Sequence, residues 1–434
     1  MPARALHIAW LGPAPGEDGG VPGVGTELLR GLARLGHRVD CFFPSAPRQL
    51  PERVAREANL TIVWGTSRWQ WRRWYSRTRI TAFASGILSR SLASLRLRSR
   101  IVRRHRRDPY DLIYQFSSIE SLAVPPRLTR SVPLVIHPET HSAGELRSLW
   151  AERALSVRCQ GRLRFAIVAS ILLARSLAQR RRIRAARLLV CISGVFRDHM
   201  VRDYGFARER TVVIANPVRI ERFEASERAP AQPPVVLVLG RVVARKGIDT
   251  VVALARLLRE REVAIRIRVV GGPSLWSDYT ALLAELPAEN AEYAGSVDPA
   301  AVPAALARSD LLLAPSKYEP FALTVAEALA SGLPVIGTSE VGAIENVARS
   351  VAAEVAPGDV LALADAVLEL LERLRADPAR VRASARAEAE RLFAPEVVCG
   401  QLSSSLVWLV EGAGDGVREG RGAAGGTPVA ERPT

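Results

Sequence analysis

The sequence predicts an α/β fold built from two open, parallel-sheet domains, one in each half of the chain. Three observations carry this. Short, nearly continuous apolar runs alternate with helical periodicity, the pattern of strands covered on both faces. The alternation stops at an Ala/Pro-rich polar stretch, ASERAPAQPP (225–234), and restarts after it. The chain's 434 residues exceed what one compact core accommodates.

In the first half, ALHIAWLG (5–12) reads as a strand entering the glycine-rich loop GEDGGVPGVG (16–25) and then the helical TELLRGLARLGH. Further strands are expected at DLIYQFSS (111–118), PLVIHPE (133–139), RLLVCIS (187–193) and TVVIANP (211–217). In the second half they are expected at PVVLVLGR (234–241), AIRIRVVGG (264–272), AEYAGSV (291–297), DLLLAPSK (310–317) and PVIGTS (334–339). The domains then span 1–224 and 235–395, joined by the linker 225–234. Helices are expected over 379–392 and 396–410, the second returning to the first domain. The polar, Gly/Ala-rich tail 411–434 is expected to be disordered. In paired sheets of this kind, ligands lie at the carboxyl ends of the strands, facing the cleft.

The net charge of +16 is localised. Residues 68–107 hold thirteen arginines and no acid, and 153–187 hold ten more and no acid, so the rest of the chain is net negative. Such patches fit an anionic membrane, nucleic acid or an anionic substrate, or a solvated helix surface. Within the insertion-like 68–107, Leu88, Leu92, Leu95 and Val102 share a helical face, and Trp69, Trp71 and Trp74 sit among arginines just before it. A basic amphipathic helix with tryptophan anchors is a membrane-interface pattern; leucines packing on a sheet give the same periodicity. No nucleic-acid recognition signature accompanies the basic residues, so no nucleic-acid partner is expected. The four cysteines are dispersed and form no CxxC pair, which fits a reducing cytoplasm and points to no metal or disulfide framework. The N-terminus lacks a secretory pattern, and the longest apolar run, FAIVASILLA (165–174), is too short to span a bilayer.

Four segments can carry chemistry. The loop containing Gly19 and Gly20 offers close backbone approach and helix N–H groups to an anion, or is a simple turn; its spacing is not that of a dinucleotide fingerprint. LGRVVARKG (239–247) places Arg241 and Lys246 at a strand's carboxyl end, suited to a diphosphate or merely solvated. VIHPETH (135–141) ends a strand on His137, positioned for substrate or held structurally. In KYEPFALTVAEALA (317–330), Pro320 keeps Glu319 out of helical backbone, and a helix begins near Ala322–Thr324. Glu327 lies about one turn inside. Thr324 and Glu327 also spell a capping box, in which Glu327 only caps the helix.

Taken together these residues resemble the retaining glycosyltransferases of the GT-B fold, family 4 (group 1): E-x-F-[GA]-x4-E followed by A-x-G-x-P-V, GR-x4-KG (240–247) upstream, VIHPE, the GG loop before a helix and LGHRV, and CISGVFRDHM (191–200) with VVIANPVRIERF (212–223), all in the family's order. The resemblance implies two Rossmann-like domains facing a cleft. Arg241 and Lys246 would bind the diphosphate of a nucleotide-sugar donor, and Glu327 its ribose. Glu319, with the N–H groups of Phe321, Ala322 and Leu323, would hold the sugar and phosphate. His137 would contact the transferred sugar, and Gly19–Gly20 would lie against phosphate and acceptor. Ala322 stands where glycine is usual, and Pro217 follows Asn216 where glycine is common.

The expected protein is thus a cytoplasmic enzyme, with peripheral attachment at the inner face of the plasma membrane if the basic segments bind lipid. It would move a sugar to a glycan or lipid-linked acceptor of the cell envelope without a metal or other cofactor. A GT-B epimerase or phosphorylase, and a non-catalytic sugar-nucleotide-binding scaffold, are the alternatives.

Overall fold

The computed structural model describes residues 4–17, 19–45, 50–67, 79–117, 124–225, 228–274 and 277–415. The tryptophans Trp69, Trp71 and Trp74 and the tail beyond 415 lie outside the described residues.

The first domain runs β1 (His7–Leu11), α1 (Gly20–Arg34), β2 (Arg38–Ser45), α2 (Glu52–Ala55), β3 (Leu60–Ser67), α3 (Arg79–Arg107), β4 (Leu112–Ser117), β5 (Leu134–Pro138), α4 (Ser142–Ala151), α5 (Arg153–Gln160), α6 (Arg162–Ile183), β6 (Leu188–Cys191), α7 (Gly194–Tyr204) and β7 (Thr211–Val213). Its seven strands, all parallel, lie in the order β3-β2-β1-β4-β5-β6-β7. The second domain runs β8 (Val235–Leu239), α8 (Ile248–Glu260), β9 (Arg266–Val270), β10 (Ala291–Tyr293), α9 (Val302–Ala307), β11 (Leu311–Ala314), α10 (Leu323–Ala330), β12 (Val335–Thr338), β13 (Ala352–Val355), α11 (Val360–Ala376) and α12 (Pro378–Phe393). Its six parallel strands lie in the order β10-β9-β8-β11-β12-β13. A last helix, α13 (Pro395–Asp415), returns to the first domain. There Cys399 packs beneath α1, its Sγ 3.6 Å from the Glu27 carbonyl, and Ser403 Oγ meets His37 Nε2 at 2.7 Å.

Both sheets change direction at their centre, between β1 and β4 and between β8 and β11. These switch points are where an open α/β sheet leaves a crevice beyond its strand ends. The glycine-rich loop after β1 and the Gly240–Gly247 loop after β8 therefore stand at the two crevices.

One face of the first sheet packs under α1 and α13. The apolar cluster on the other face continues across the domain boundary, from Ile192, Phe196 and Met200 to Phe321, Val341 and Ile344. The helices α4 to α6 add a small cluster of their own, Leu149, Phe165, Val168, Ala169 and Leu172.

The predicted strands are present, each shorter than expected; β7, β9, β10 and β11 are cut most, to Thr211–Val213, Arg266–Val270, Ala291–Tyr293 and Leu311–Ala314. Three further strands were not expected: β2 mixes Arg38, Asp40 and Pro44 and β13 is the Ala-rich AAEV, which hides their strand character, whereas β3, LTIVWGTS, is uncharged and its sequence does not hide it. α13 runs to Asp415, past the expected end at 410. By length and composition alone the helical stretch Pro378–Gly412 passes for a membrane span, a test that a core helix also passes. Its Val398, Leu402, Leu406 and Leu409 are core residues of the first domain. α3 lays Ala93, Leu97 and Ile101 on the sheet and leaves Leu88, Leu92 and Leu95 exposed at 62%, 47% and 42%.

Candidate active site between the two sheets

α1 begins at Gly20 with Gly19 as its N-cap, and both have positive φ, 57° and 62°. A side chain at either position would be strained, so glycine is what lets the chain turn into the helix here. Opposite this loop stands the start of α10. Gly19, Gly20 and Gly23 share a cavity of about 40 Å³ with Pro217, Leu323 and Glu327, so the fold brings the glycine loop and Glu327 face to face.

Glu327 is not a capping-box residue. The N-cap of α10 is Ala322, no side chain caps the helix, and Glu327 is its fifth residue. Ala322 adopts φ 77°, a left-handed conformation that a Cβ disfavours. That conformation accounts for glycine being usual at this position in the family pattern.

Glu319 lies elsewhere in the cleft. Its N–H donates to the Glu340 carbonyl (3.0 Å), and its own carbonyl accepts from Gly342 N–H (3.2 Å). Its carboxylate is buried between two cations: Lys246 Nζ lies 2.6 Å from Oε2, and the Arg245 guanidinium donates to the same oxygen. Burial pushes the carboxyl up, but the charges of Arg245 and Lys246 outweigh it and hold it down, at about 2. Burial lowers the Lys246 ammonium below its ordinary value; Glu319 offsets part of this, and Arg245 and Arg241 add to it.

A 3-10 turn over Ala244–Lys246 makes Arg245 and Lys246 neighbours on this oxygen. The turn is tied to the Glu319 loop by the Arg245 carbonyl, which accepts from Lys317 N–H at 2.8 Å. Arg241 stands beside them, exposed, with no hydrogen-bond partner among the described residues, and lines a slot with Lys246, Ser316 and Thr324. Three cations thus face two carboxylates, Glu319 and the nearby Glu145. The surplus is positive and sits beside the start of α10, where Val325 N–H turns back to the Ala322 carbonyl (3.0 Å) and the N–H groups of Leu323 and Thr324 have no carbonyl within the helix to meet. Such a place suits a diphosphate. Among the described residues no three His, Cys, Asp or Glu side chains gather as metal ligands.

His137 sits at the end of β5 but is fully buried, beneath the cleft surface. Its Nδ1 meets the Tyr114 hydroxyl at 2.5 Å. Burial raises that phenol well above its usual range, so it stays protonated and donates, leaving the ring proton on Nε2. Burial also holds the imidazole neutral, down to about 3. Nε2 points towards Glu139 Oε1 at 3.6 Å, and neither atom has a hydrogen-bond partner among the described residues. Glu139 takes a hydrogen bond from Asn216 (2.8 Å), yet burial raises it to about 7.

The sequence reading missed Arg245 and Glu139, and it missed the contacts that close the cleft. The α7 N-terminus donates two N–H groups, Gly194 and Val195, to the Glu345 carboxylate at 2.7 and 2.6 Å. Ser193 Oγ donates to the Pro320 carbonyl at 2.7 Å. A Cβ on Gly342 would lie 2.3 Å from both of those oxygens, so only glycine permits this approach. His141 Nδ1 meets the Tyr318 hydroxyl at 2.7 Å, and His199 Nε2 meets Glu340 at 2.9 Å. Lys317 Nζ bridges Glu152 and Asp249, at 2.8 and 2.6 Å. First-domain groups therefore grip the Glu319 loop on both of its flanks.

Residues 18–222 match the model of Glycosyltransferase Family 4, and residues 219–389 that of Glycosyl transferases group 1. A probable transglycosylase of Burkholderia thailandensis is 28% identical over 254 residues, covering 56% of this chain and 66% of that protein. Glycogen synthase of Mycobacterium tuberculosis is 31% identical over 215 residues, 48% of this chain and 50% of that one. The chain thus spans half to two thirds of the length of these relatives. Among solved structures, sucrose-phosphate synthase from Thermosynechococcus elongatus superposes with a TM-score of 0.67 at 18% identity, over 94% of this chain and all of that one. HepE of Anabaena, solved with UDP-glucose, gives 0.60 at 18% identity over 92% and 99% of the two chains. At such identities the superpositions speak for the fold alone. Two family models laid end to end over one pair of facing parallel sheets make this chain a member of the group 1, family 4 glycosyltransferases of the GT-B fold.

Proposed function

We propose that the chain is a retaining glycosyltransferase that moves a sugar from a nucleotide-diphosphate donor to an acceptor hydroxyl. One observation carries the reading: three cations, Arg241, Arg245 and Lys246, gather around Glu319 beside the open start of α10, opposite the glycine loop. Support for the donor class comes from HepE, a structural neighbour solved with UDP-glucose.

The diphosphate lies on Arg241, Lys246 and the α10 N–H groups, the ribose on Glu327 and the sugar near Glu319. The bond between the anomeric carbon and the phosphate oxygen breaks, leaving positive charge on the sugar and negative charge on the phosphate. The cations stabilise that phosphate as its charge grows. The acceptor hydroxyl attacks from the same face and gives its proton to the departing phosphate oxygen, so configuration is retained. The protein's own cations meet the charge, so the reaction requires no metal and survives a chelator. The contacts between the domains keep water from the reacting carbon.

The acceptor is a glycan or a lipid-linked sugar of the cell envelope, and the enzyme works on the cytoplasmic side. The exposed leucines of α3, set among arginines, support contact with an anionic membrane surface.

A thermal-shift panel of UDP, GDP and ADP sugars, followed by assay of nucleotide release, tests the reading. One donor should stabilise the chain and be turned over, and Lys246→Ala and Glu319→Ala should each abolish turnover. Wild-type rates in both variants would overturn the site assignment.

A further inference from the structure

Between the two domains, away from the glycine loop, lies a second cavity of about 220 Å³. One wall comes from α4 and α6 and is apolar: Leu149, Val168, Ile171 and Leu172. The opposite wall is the loop after β8, with Arg241 at its mouth. Ser148 also lines the cavity; it is 8% exposed, and its hydroxyl has no hydrogen-bond partner among the described residues. Thr140, Glu145, Arg175, Arg245, Ser274 and Ser277 are its other polar liners.

The apolar wall is not the floor of the sheet. It belongs to the separate small cluster formed by α4 to α6. The outer surface of the same layer is also apolar and basic. Leu163, Leu173 and Leu177 of α6 are exposed at 77%, 51% and 59%, Trp150 at the end of α4 is exposed at 50%, and the segment 153–187 has no acid among its ten arginines. An apolar chain leaving this cavity meets leucines and guanidinium groups, not a carboxylate-rich surface.

A bare carbohydrate gains little from a wall of Val, Ile and Leu, because its hydroxyls find no partners there. An amphiphile fits both sides: its chain lies on α6, and its head lies towards Ser148, Glu145 and Arg241. Arg241 is the group assigned above to the donor diphosphate, so a head at that end stands next to the reacting bond.

Resting on the transferase reading, we infer that this cavity is the acceptor subsite, and that the acceptor carries an alkyl or isoprenoid chain next to its reacting sugar. The orphaned Ser148 hydroxyl and the Glu145 carboxylate then meet hydroxyls of the head, while Val168, Ile171 and Leu172 select the chain.

The test uses the full chain and two probe series, alkyl phosphates and alkyl maltosides of increasing chain length, titrated by calorimetry below their micelle concentrations. Affinity should rise about fourfold per methylene until the cavity is full. Ile171 is half-buried in the wall, so Ile171→Asn makes the wall polar and Ile171→Trp fills the space. Both variants should flatten the chain-length dependence while keeping the nucleotide-sugar thermal shift. A preference for the phosphate series supports an anionic linkage beside Arg241, and equal affinity for both series supports a neutral glycolipid head. Chain-length-independent binding, or a dependence unchanged in both variants, overturns the inference. The two readings fail separately. Loss of any donor shift in the wild-type chain sinks the transferase reading, whereas an intact donor shift with flat alkyl binding sinks only the acceptor class.

Discussion

Glu319 shows why charge in this site must be counted as a set. Its carboxylate is held by Arg245 and Lys246. Glu319→Gln leaves those buried cations without their anion, and breaking a buried pair on one side costs about 3–5 kcal/mol. A bound nucleoside diphosphate supplies the missing negative charge. The variant should therefore melt well below wild type when empty and recover more of its stability than wild type on adding the nucleotide, which paired melting curves would measure. Ala322 carries strain of a different kind. Its left-handed backbone makes Ala322→Gly stabilising by about 1 kcal/mol, the gain from removing the Cβ clash less the added freedom of the unfolded chain, read from denaturant midpoints. Glu139 sets a pH dependence. Raised to about 7 in the folded state, it stabilises fully below about pH 4.5 and loses that contribution as pH rises through 7. Relative to wild type, Glu139→Gln should gain on the order of 3 kcal/mol between pH 4.5 and 8. Parallel stability curves for the two proteins would instead mean that Glu139 ionises normally. Arg241, Lys246, Glu319 and Glu327 were legible through the resemblance of GR-x4-KG and E-x-F-[GA]-x4-E to the family's motifs, since spacing alone left each open to a solvated or capping role. Arg245 was one of 58 arginines and had no such mark. The burial of His137 depends on Tyr114 and Phe116 of another strand, which no local pattern reveals.

At the scale of elements, α3 and α7 are used in ways that their sequences only partly announce. Leu88, Leu92, Leu95 and Val102 of α3 share a helical face, but the sheet is packed by Ala93, Leu97 and Ile101 instead. The exposed leucines are the ones available to a membrane. Replacing Leu88, Leu92 and Leu95 together by serine should reduce sedimentation with anionic liposomes severalfold without lowering the melting temperature, since none of the three supports the core. Arg104 is a poorer probe of the same idea because it also pairs with Asp40. In α7 the chain places Ser193 as N-cap, its hydroxyl accepting from Phe196 N–H, a start signal visible in CISGVF. Invisible in that segment is Glu345, 151 residues further on, which takes the Gly194 N–H. Secondary structure was thus readable where strands are fully apolar, as in β5 and β8, and lost where a strand mixes Arg38, Asp40 and Pro44, as in β2.

For the whole molecule, the residues proposed to hold the donor and the residues that face them across the cleft belong to different domains. Arg241, Lys246, Glu319 and Glu327 all stand on the second sheet, whereas the glycine loop and the acceptor cavity's apolar wall stand on the first. What joins them is the row of contacts along the Glu319 loop: Lys317 to Glu152, Tyr318 to His141 and Ser193 to Pro320. These contacts can do two separable things, position Glu319 or hold the domains together. Lys317→Met combined with Tyr318→Phe removes two of them without touching a group that meets the diphosphate. If closure is their role, the double variant should show a larger radius of gyration in solution scattering. Its affinity for the nucleotide should change less than threefold, because that site lies within one domain. Its kcat should fall tenfold or more, because the glycine loop and acceptor wall no longer meet the donor. Equal losses in affinity and kcat at an unchanged radius would assign the contacts to positioning Glu319 alone.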